Sequence, residues 1–340
     1  MPMQEGLPPV PAFNLATLNA EGEPERLYKA FRDVGAIALK IDEIYPEFEA
    51  LLNDFENQSW TFWRLSQEEK NKFRHPEANF EIGYNNEEKA SHMLVPDNKE
   101  MLTFKRAALS NEPYPNELLK NIDLPMLPGF TEKAVRINAT MTQINAAVLQ
   151  VLASQLFLEG GFVKGVNSHI KTAGDLAQQF NRNYSTHTRI LHYPENGTAE
   201  DHRDRSAFTC LAPRRPGLEI EDRDGNWFAA NAKEGWVIIN TGRAMGALTN
   251  DHILPCNHRV MTEGERLSTV TFSSWEPDTV MEPMISCALF ETVEDYSKYR
   301  GGTFDDYDKR RVQHNFAGVH GVHVDTLVDA KGRVITPKSP

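Results

Sequence analysis

Cysteine is scarce in this chain. Its 340 residues hold three, Cys210, Cys256 and Cys287, an odd number with no CxxC spacing. That argues against a disulfide framework and suits a reducing compartment. Long apolar runs are missing too, since none approaches the roughly 18 residues of a membrane span. The proline-rich start, MPMQEGLPPVPAFNL, shows no basic segment followed by an apolar run, so no signal peptide is expected. Positive charge is also in deficit, with 36 basic residues against 48 acidic ones and a net charge of -12. Such a balance disfavours a dedicated binder of nucleic acid or anionic membrane, but permits a local basic pocket for a small anion. The expectation is a soluble cytoplasmic protein, its oligomeric state open.

What is present has an order. Leu27, Ala30, Phe31 and Val34 are spaced as one face of a helix from about Glu23 to Val34, followed by a short buried strand, Ala36–Leu39. A second helix is expected from Tyr45 to Trp60 on the stripe Leu51, Leu52 and Phe55. Ser66 with Glu69 three residues on is a capping-box pattern that starts a third. The stretch from Phe80 to Pro128 is rich in Asn and Pro and reads as irregular, the kind of long loop that is often functional. Thr131 to Leu158 has no Gly or Pro before Leu158 and carries Val135, Met141, Ile144, Val148, Leu152 and Leu156 as a long spine helix. After Phe180 come short apolar runs broken by turns: 189–193, 207–211, 218–220, 227–229, 236–239, 257–261 and 267–272, with Asp224-Gly225 as a hairpin signal. Helices first and many short strands afterwards predict an α+β chain with a sandwich or barrel of strands.

His-x-acid occurs at His75-Pro-Glu77, His202-Arg-Asp204 and His323-Val-Asp325. Two residues apart, such side chains can share one side of an extended backbone and hold adjacent positions on a metal. Only His202 lies among strand-like runs and has a further imidazole in one, His258, 56 residues downstream. Two imidazoles and a carboxylate make a face that leaves the other side of a non-haem Fe(II) open. His252 competes with His258 on composition alone, but Asn250-Asp251 reads as a turn while His258 continues into Arg259-Val260. Arg266, Ser268, Val270 and Phe272 share one strand parity, presenting a forked cation, a hydroxyl and apolar bulk. That pair suits a carboxylate. Arg189 has the parity of Leu191 and Tyr193; if buried, it needs an anion, either a ligand carboxylate or an acidic side chain. His187 and His192 read as ordinary polar positions.

This constellation resembles that of the Fe(II)/2-oxoglutarate oxygenases of the isopenicillin N synthase-like group. Pro9-Val-Pro-Ala-Phe13, Phe31-Arg-Asp-Val-Gly35, Leu65 to Phe73, Asp97-Asn-Lys-Glu100, Leu127-Pro-Gly-Phe130 and Asn257-His-Arg-Val260 follow the family's order. The resemblance implies a double-stranded β-helix, or jelly roll. It divides the chain into an N-terminal α/β region (1–128), a jelly-roll core with the spine helix and the site (129–300), and a C-terminal extension (301–340). It further implies Fe(II) on His202, Asp204 and His258, with 2-oxoglutarate chelating the iron and O2 taking the last position. The far carboxylate would meet Arg266 and Ser268, with Tyr193 helping, and Arg189 and Phe272 would face the substrate. No catalytic residue beyond the metal ligands is implied. Substrates of the group are often covered by the region around Phe80–Tyr84. Isopenicillin N synthase itself and the plant ethylene-forming oxidases keep this set without using 2-oxoglutarate, which is the alternative. The chain departs from the family in Arg205-Ser206-Ala207 after Asp204; Arg205 suits either the surface or an acidic substrate.

Overall fold

The apolar positions of the N-terminal third become helices because each stripe has a sheet to lie on. In the computed structural model, which describes residues 7–76, 81–88, 96–105, 121–156, 170, 172–181, 186–231, 233–249, 251–281, 302–304, 327–328 and 334–335, α1 (Glu23–Asp33) buries Leu27, Ala30 and Phe31. Helix α2 runs Phe48–Trp63, three residues later than its pattern suggested. Pro46 disfavours helical geometry at Tyr45. The helix then continues because Phe62 and Trp63 are buried and the Trp63 indole N–H donates to Ser59 Oγ at 3.1 Å. The capping box forms as expected at the start of α3 (Gln67–Asn71), with Ser66 Oγ accepting from the Glu69 amide and Glu69 from the Ser66 amide.

The long helix α4 (Phe130–Leu156) buries Ile137, Met141, Ile144, Val148, Leu152 and Leu156 on one face. It packs across β4 (Glu100–Lys105), β5 (His187–Tyr193), β7 (Phe208–Pro213) and β12 (Arg266–Ser273). Two buried amides pin it there, Asn138 to Thr188 Oγ1 at 3.0 Å and Asn145 to Ser273 Oγ at 2.9 Å.

With β1 (Ala12–Asn14), β2 (Ala36–Lys40), β3 (Gly83–Asn85) and β10 (Trp236–Thr241), these strands form an eight-stranded sheet ordered β1-β2-β10-β7-β12-β5-β4-β3. A four-stranded sheet, β6-β11-β8-β9, joins β6 (Thr198–His202), β11 (Asn257–Met261), β8 (Leu218–Glu221) and β9 (Trp227–Ala229). The β8–β9 hairpin turns at Asp224-Gly225, where Gly225 has a positive φ. Between the sheets lies an apolar layer with Met101, Leu191 and Leu211 from one side and Leu218, Ile220 and Val260 from the other. This is the jelly roll, an α+β fold with its helices on the outer face of the larger sheet.

Three strands have no clear local signal. β3 and β4 fall inside the stretch expected to be irregular, and β6, Thr-Ala-Glu-Asp-His, is mostly polar. Long-range pairing makes each: β4 runs antiparallel to β5 over six residues, and β6 is an outer strand that needs only β11. Phe80, His314, His320 and His323 lie outside the described residues.

Phe130 is fully buried and stacks on Phe55 at 4.3 Å, with Phe104 edge-on at 5.7 Å. Phe130→Ala is expected to cost about 3–5 kcal/mol in urea unfolding followed by tryptophan fluorescence, since the cavity lies under the spine helix.

Candidate metal centre

His202 closes β6 and His258 stands directly opposite it in β11, so the ladder register sets their rings side by side, 4.3 Å between centroids. Asp204 follows two residues after His202, past the strand end. Its Oδ1 lies 3.8 Å from His202 Nε2 and 3.7 Å from His258 Nε2, and the three donors sit within 4.8 Å of one another. Each imidazole is oriented from behind: His202 Nδ1–H donates to Glu200 O at 2.6 Å and His258 Nδ1–H to Cys256 O at 3.3 Å. Both Nε2 lone pairs then face Asp204 Oδ1. The other carboxylate oxygen, Oδ2, accepts from Thr209 Oγ1 at 2.5 Å and Asn240 Nδ2 at 3.0 Å.

Electrostatics suit a cation. Burial pulls His258 down to about 4, against the opposing pull of Asp204, so its ring is neutral near pH 7. Burial raises Asp204, but the two imidazoles and the bonds from Thr209 and Asn240 more than reverse this, keeping its carboxyl below the usual range. Such a hard-and-borderline donor set with an open side fits Fe(II). Backbone packing here depends on Gly242: a Cβ would overlap Ser206 O and come within 3.0 Å of Asp204 O.

The three donors open on a cavity of about 330 Å³ between the sheets. Its floor is built from β12 and β5, whose register pairs Arg266 with Tyr193, Ser268 with Leu191, Val270 with Arg189 and Phe272 with His187. All eight line the cavity. Arg266 is 2% exposed and packs over the Tyr193 ring at 5.3 Å. Its Nη1 donates to Pro216 O at 3.1 Å, yet its Nε is buried with no hydrogen-bond partner among the described residues. A guanidinium held so is a standing demand for an anion. Gly217 makes the space, since a Cβ there, at φ 120°, would overlap Met261 O and meet Arg266 Nη1 at 3.3 Å.

Two family models match the chain: the 2OG-Fe(II) oxygenase superfamily over residues 177–274, and the N-terminal region of the non-haem dioxygenases in morphine synthesis over 10–124. The three donors and Arg266 all lie within the stretch that matches the 2OG-Fe(II) oxygenase superfamily. Among curated relatives, "Flavanone 3-dioxygenase 2" of Oryza sativa subsp. japonica is 27% identical over 203 residues, 57% of this chain and 54% of that protein. "Validamycin A dioxygenase" of Streptomyces hygroscopicus subsp. limoneus is 27% identical over 166 residues, 46% of this chain and 44% of that protein. The chain thus spans about half the length of the curated relatives it matches. In fold it is similar to a full-length Neurospora crassa protein solved in complex with alpha-KG, at TM-score 0.69 and 20% identity, covering 91% of this chain and 98% of that one.

Several residues of the site and its support escaped the sequence reading. Asn240 and Thr209 carry no local signal, being polar residues in largely apolar strands. Lys99 and Asp97 lie in a stretch that resembled the family, without a role attached. The anion beside Arg189 is Glu88, its Oε1 2.9 Å from Nη1, and Glu88 also pairs with Lys99 at 3.2 Å and Lys99 with Asp97 at 2.8 Å. His187 is more than an ordinary polar position, since it stacks on Phe272 at 4.9 Å. His192 points to the other face, stacked on Trp63 and bonded to Glu265 at 2.8 Å. His252 stays apart from the three donors; among the described residues only His202, Asp204 and His258 form such a group.

Thr209→Val and Asn240→Ala are each expected to lower Mn(II) affinity about 10–100-fold in equilibrium dialysis, with His258→Ala abolishing it. Burial would raise the Glu88 carboxyl, but Arg189 and Lys99 outweigh it and hold it far below the usual range. A depressed folded-state pKa stabilises at neutral pH and is lost as pH falls through and below the ordinary carboxylate range. Glu88→Gln should therefore cost about 3–5 kcal/mol at pH 7. Its stability curve should converge on that of the unaltered protein at low pH, as read by urea unfolding at stepped pH.

Proposed function

We propose that the protein is an Fe(II)- and 2-oxoglutarate-dependent dioxygenase that oxidises a small molecule of secondary metabolism. The observation that carries this reading is a pair of unmet demands on one cavity: a two-histidine, one-carboxylate donor face, and a buried guanidinium with no carboxylate partner among the described residues. The two free buried thiols, Cys210 and Cys256, suit the reducing cytoplasm. No described helix is long and apolar enough to cross a membrane.

When bound, iron and 2-oxoglutarate supply oxygen activation, with succinate and CO2 as co-products. The chain's own share is binding and orientation. His202, Asp204 and His258 hold the metal, with Asp204 Oδ1 directed to it because Thr209 and Asn240 occupy Oδ2. Arg266 and Ser268, with Tyr193 beneath, receive the far carboxylate of 2-oxoglutarate, where a forked cation in a dry site binds and orients best. Leu191, Leu211 and Val270 line the middle of the cavity and limit water there. Phe272 and Arg189 face the substrate. Hydroxylation, desaturation and ring formation all fit these residues, and the fold does not choose among them.

Mixing the protein with Fe(II), O2 and 2-oxoglutarate should release succinate. Arg266→Gln is expected to raise the 2-oxoglutarate KM at least about tenfold with Mn(II) affinity unchanged. Iron-dependent oxygen uptake without succinate would replace this reading with an oxidase of the isopenicillin N synthase type.

A further inference from the structure

Arg266 is the first residue of β12 and Tyr193 the last of β5, so the cation and the ring beneath it form the terminal pair of their ladder. A strand end is where a ladder opens most readily. Among the described residues a single hydrogen bond tethers the guanidinium, from Nη1 to Pro216 O at 3.1 Å. An arginine recognises a carboxylate through a fork of fixed orientation, and that benefit is lost if the fork wanders.

Alternation along the strands puts the chain neighbours of this pair on the outer face of the sheet. His192, next to Tyr193, and Glu265, next to Arg266, meet there, with His192 Nε2 at 2.8 Å from Glu265 Oε1. A carboxylate partner places the hydrogen on Nε2, which donates. The other ring nitrogen, Nδ1, is buried with no hydrogen-bond partner among the described residues, so Glu265 is the single polar tether of the ring there. Glu100 stands opposite His192 on β4, but Lys70 takes its carboxylate at 2.7 Å. The last turn of α2 closes over the imidazole, with Trp63 stacked at 5.2 Å and Trp60 edge-on at 5.6 Å. Arg64, just past α2, lies 3.6 Å from Glu265 Oε2, but as an exposed pair this adds little. A helix end thus grips a buried ring, the ring grips Glu265, and the backbone carries that hold one residue onward to Arg266.

We infer that His192 is a positioning residue for the cosubstrate: through its bond to Glu265 it fixes Arg266 over Tyr193 in the orientation that receives a far carboxylate. The inference rests on the 2-oxoglutarate reading for what Arg266 binds, and on the His192–Glu265 clamp for how Arg266 is held.

The test compares two ligands that differ at one end. 2-Oxoglutarate and 2-oxopentanoate share the 2-oxo acid group that meets the metal, but only the first has a far carboxylate. Each is titrated by calorimetry into Mn(II)-loaded protein. His192→Phe keeps a ring against the tryptophans and loses the bond, while Glu265→Ala loses it from the half-exposed side, outside the core. Each should weaken 2-oxoglutarate binding about tenfold, with 2-oxopentanoate and Mn(II) affinities unchanged. His192→Gln and Glu265→Gln, which keep a donor and an acceptor, should restore most of the loss. Charge alone predicts the opposite sign for Glu265→Ala, because that change removes a carboxylate beside an anion's site. Hydrogen exchange of the unliganded protein, read by mass spectrometry, should quicken in His192→Phe and Glu265→Ala around residues 191–194 and 264–267, and not in β7 or β11. Unchanged 2-oxoglutarate affinity, an equal loss for both ligands, or unaltered exchange at that strand end would overturn the inference. If the unaltered protein binds 2-oxoglutarate no better than 2-oxopentanoate, the cosubstrate reading falls instead, and the exchange arm still decides whether the clamp holds Arg266.

Discussion

A buried carboxylate cannot stand alone, and Asp204 is where this fold meets that constraint. Its two oxygens are divided between the two sheets. Oδ2 is held by Thr209 on β7 and Asn240 on β10, both in the larger sheet. Oδ1 faces His202 on β6 and His258 on β11, both in the smaller one. The register in which the jelly roll closes completes this set, and the close approach of Gly242 to the Asp204 turn is part of the same geometry. Structure and chemistry share one atom group: what compensates the charge in the folded chain also aims it at a metal.

The rest of the cavity shows two ways of treating buried charge. Arg189, Glu88, Lys99 and Asp97 are internally compensated and tie β4, β5 and the segment before residue 89 together. Among the described residues Arg266 has only a carbonyl oxygen as hydrogen-bond partner, with Tyr193 beneath it. Internal pairing makes a wall, and its absence makes a site. That difference, and not the mere presence of arginine, separates Arg189 from Arg266 although both point from neighbouring strands into one space.

Much of this was legible beforehand. The helical spacing of α4, the capping box at Ser66 and the alternation of Arg266, Ser268, Val270 and Phe272 are local patterns, and each appears as an element or a shared face. His202, Asp204 and His258 were singled out by order and resemblance, and the structure brings their donor atoms together. The strands β3, β4 and β6 were illegible because their order comes from pairing with distant chain. Asn240, Thr209 and Glu88 were illegible for a related reason: a single polar residue announces nothing until its partner is in place.

The sequence by itself determined the class of fold and the chemical alphabet of the site, because periodicity and residue type are properties of neighbours along the chain. Tertiary structure alone decided what holds Asp204 in place and, among the described residues, which arginine finds a carboxylate and which goes without. Those outcomes depend on residues a hundred positions apart, such as Glu88 and Arg189, coming within hydrogen-bonding distance in a medium where an unmatched charge is costly. The His202-Arg-Asp204 stretch names a metal site only when His258 stands across the ladder from it.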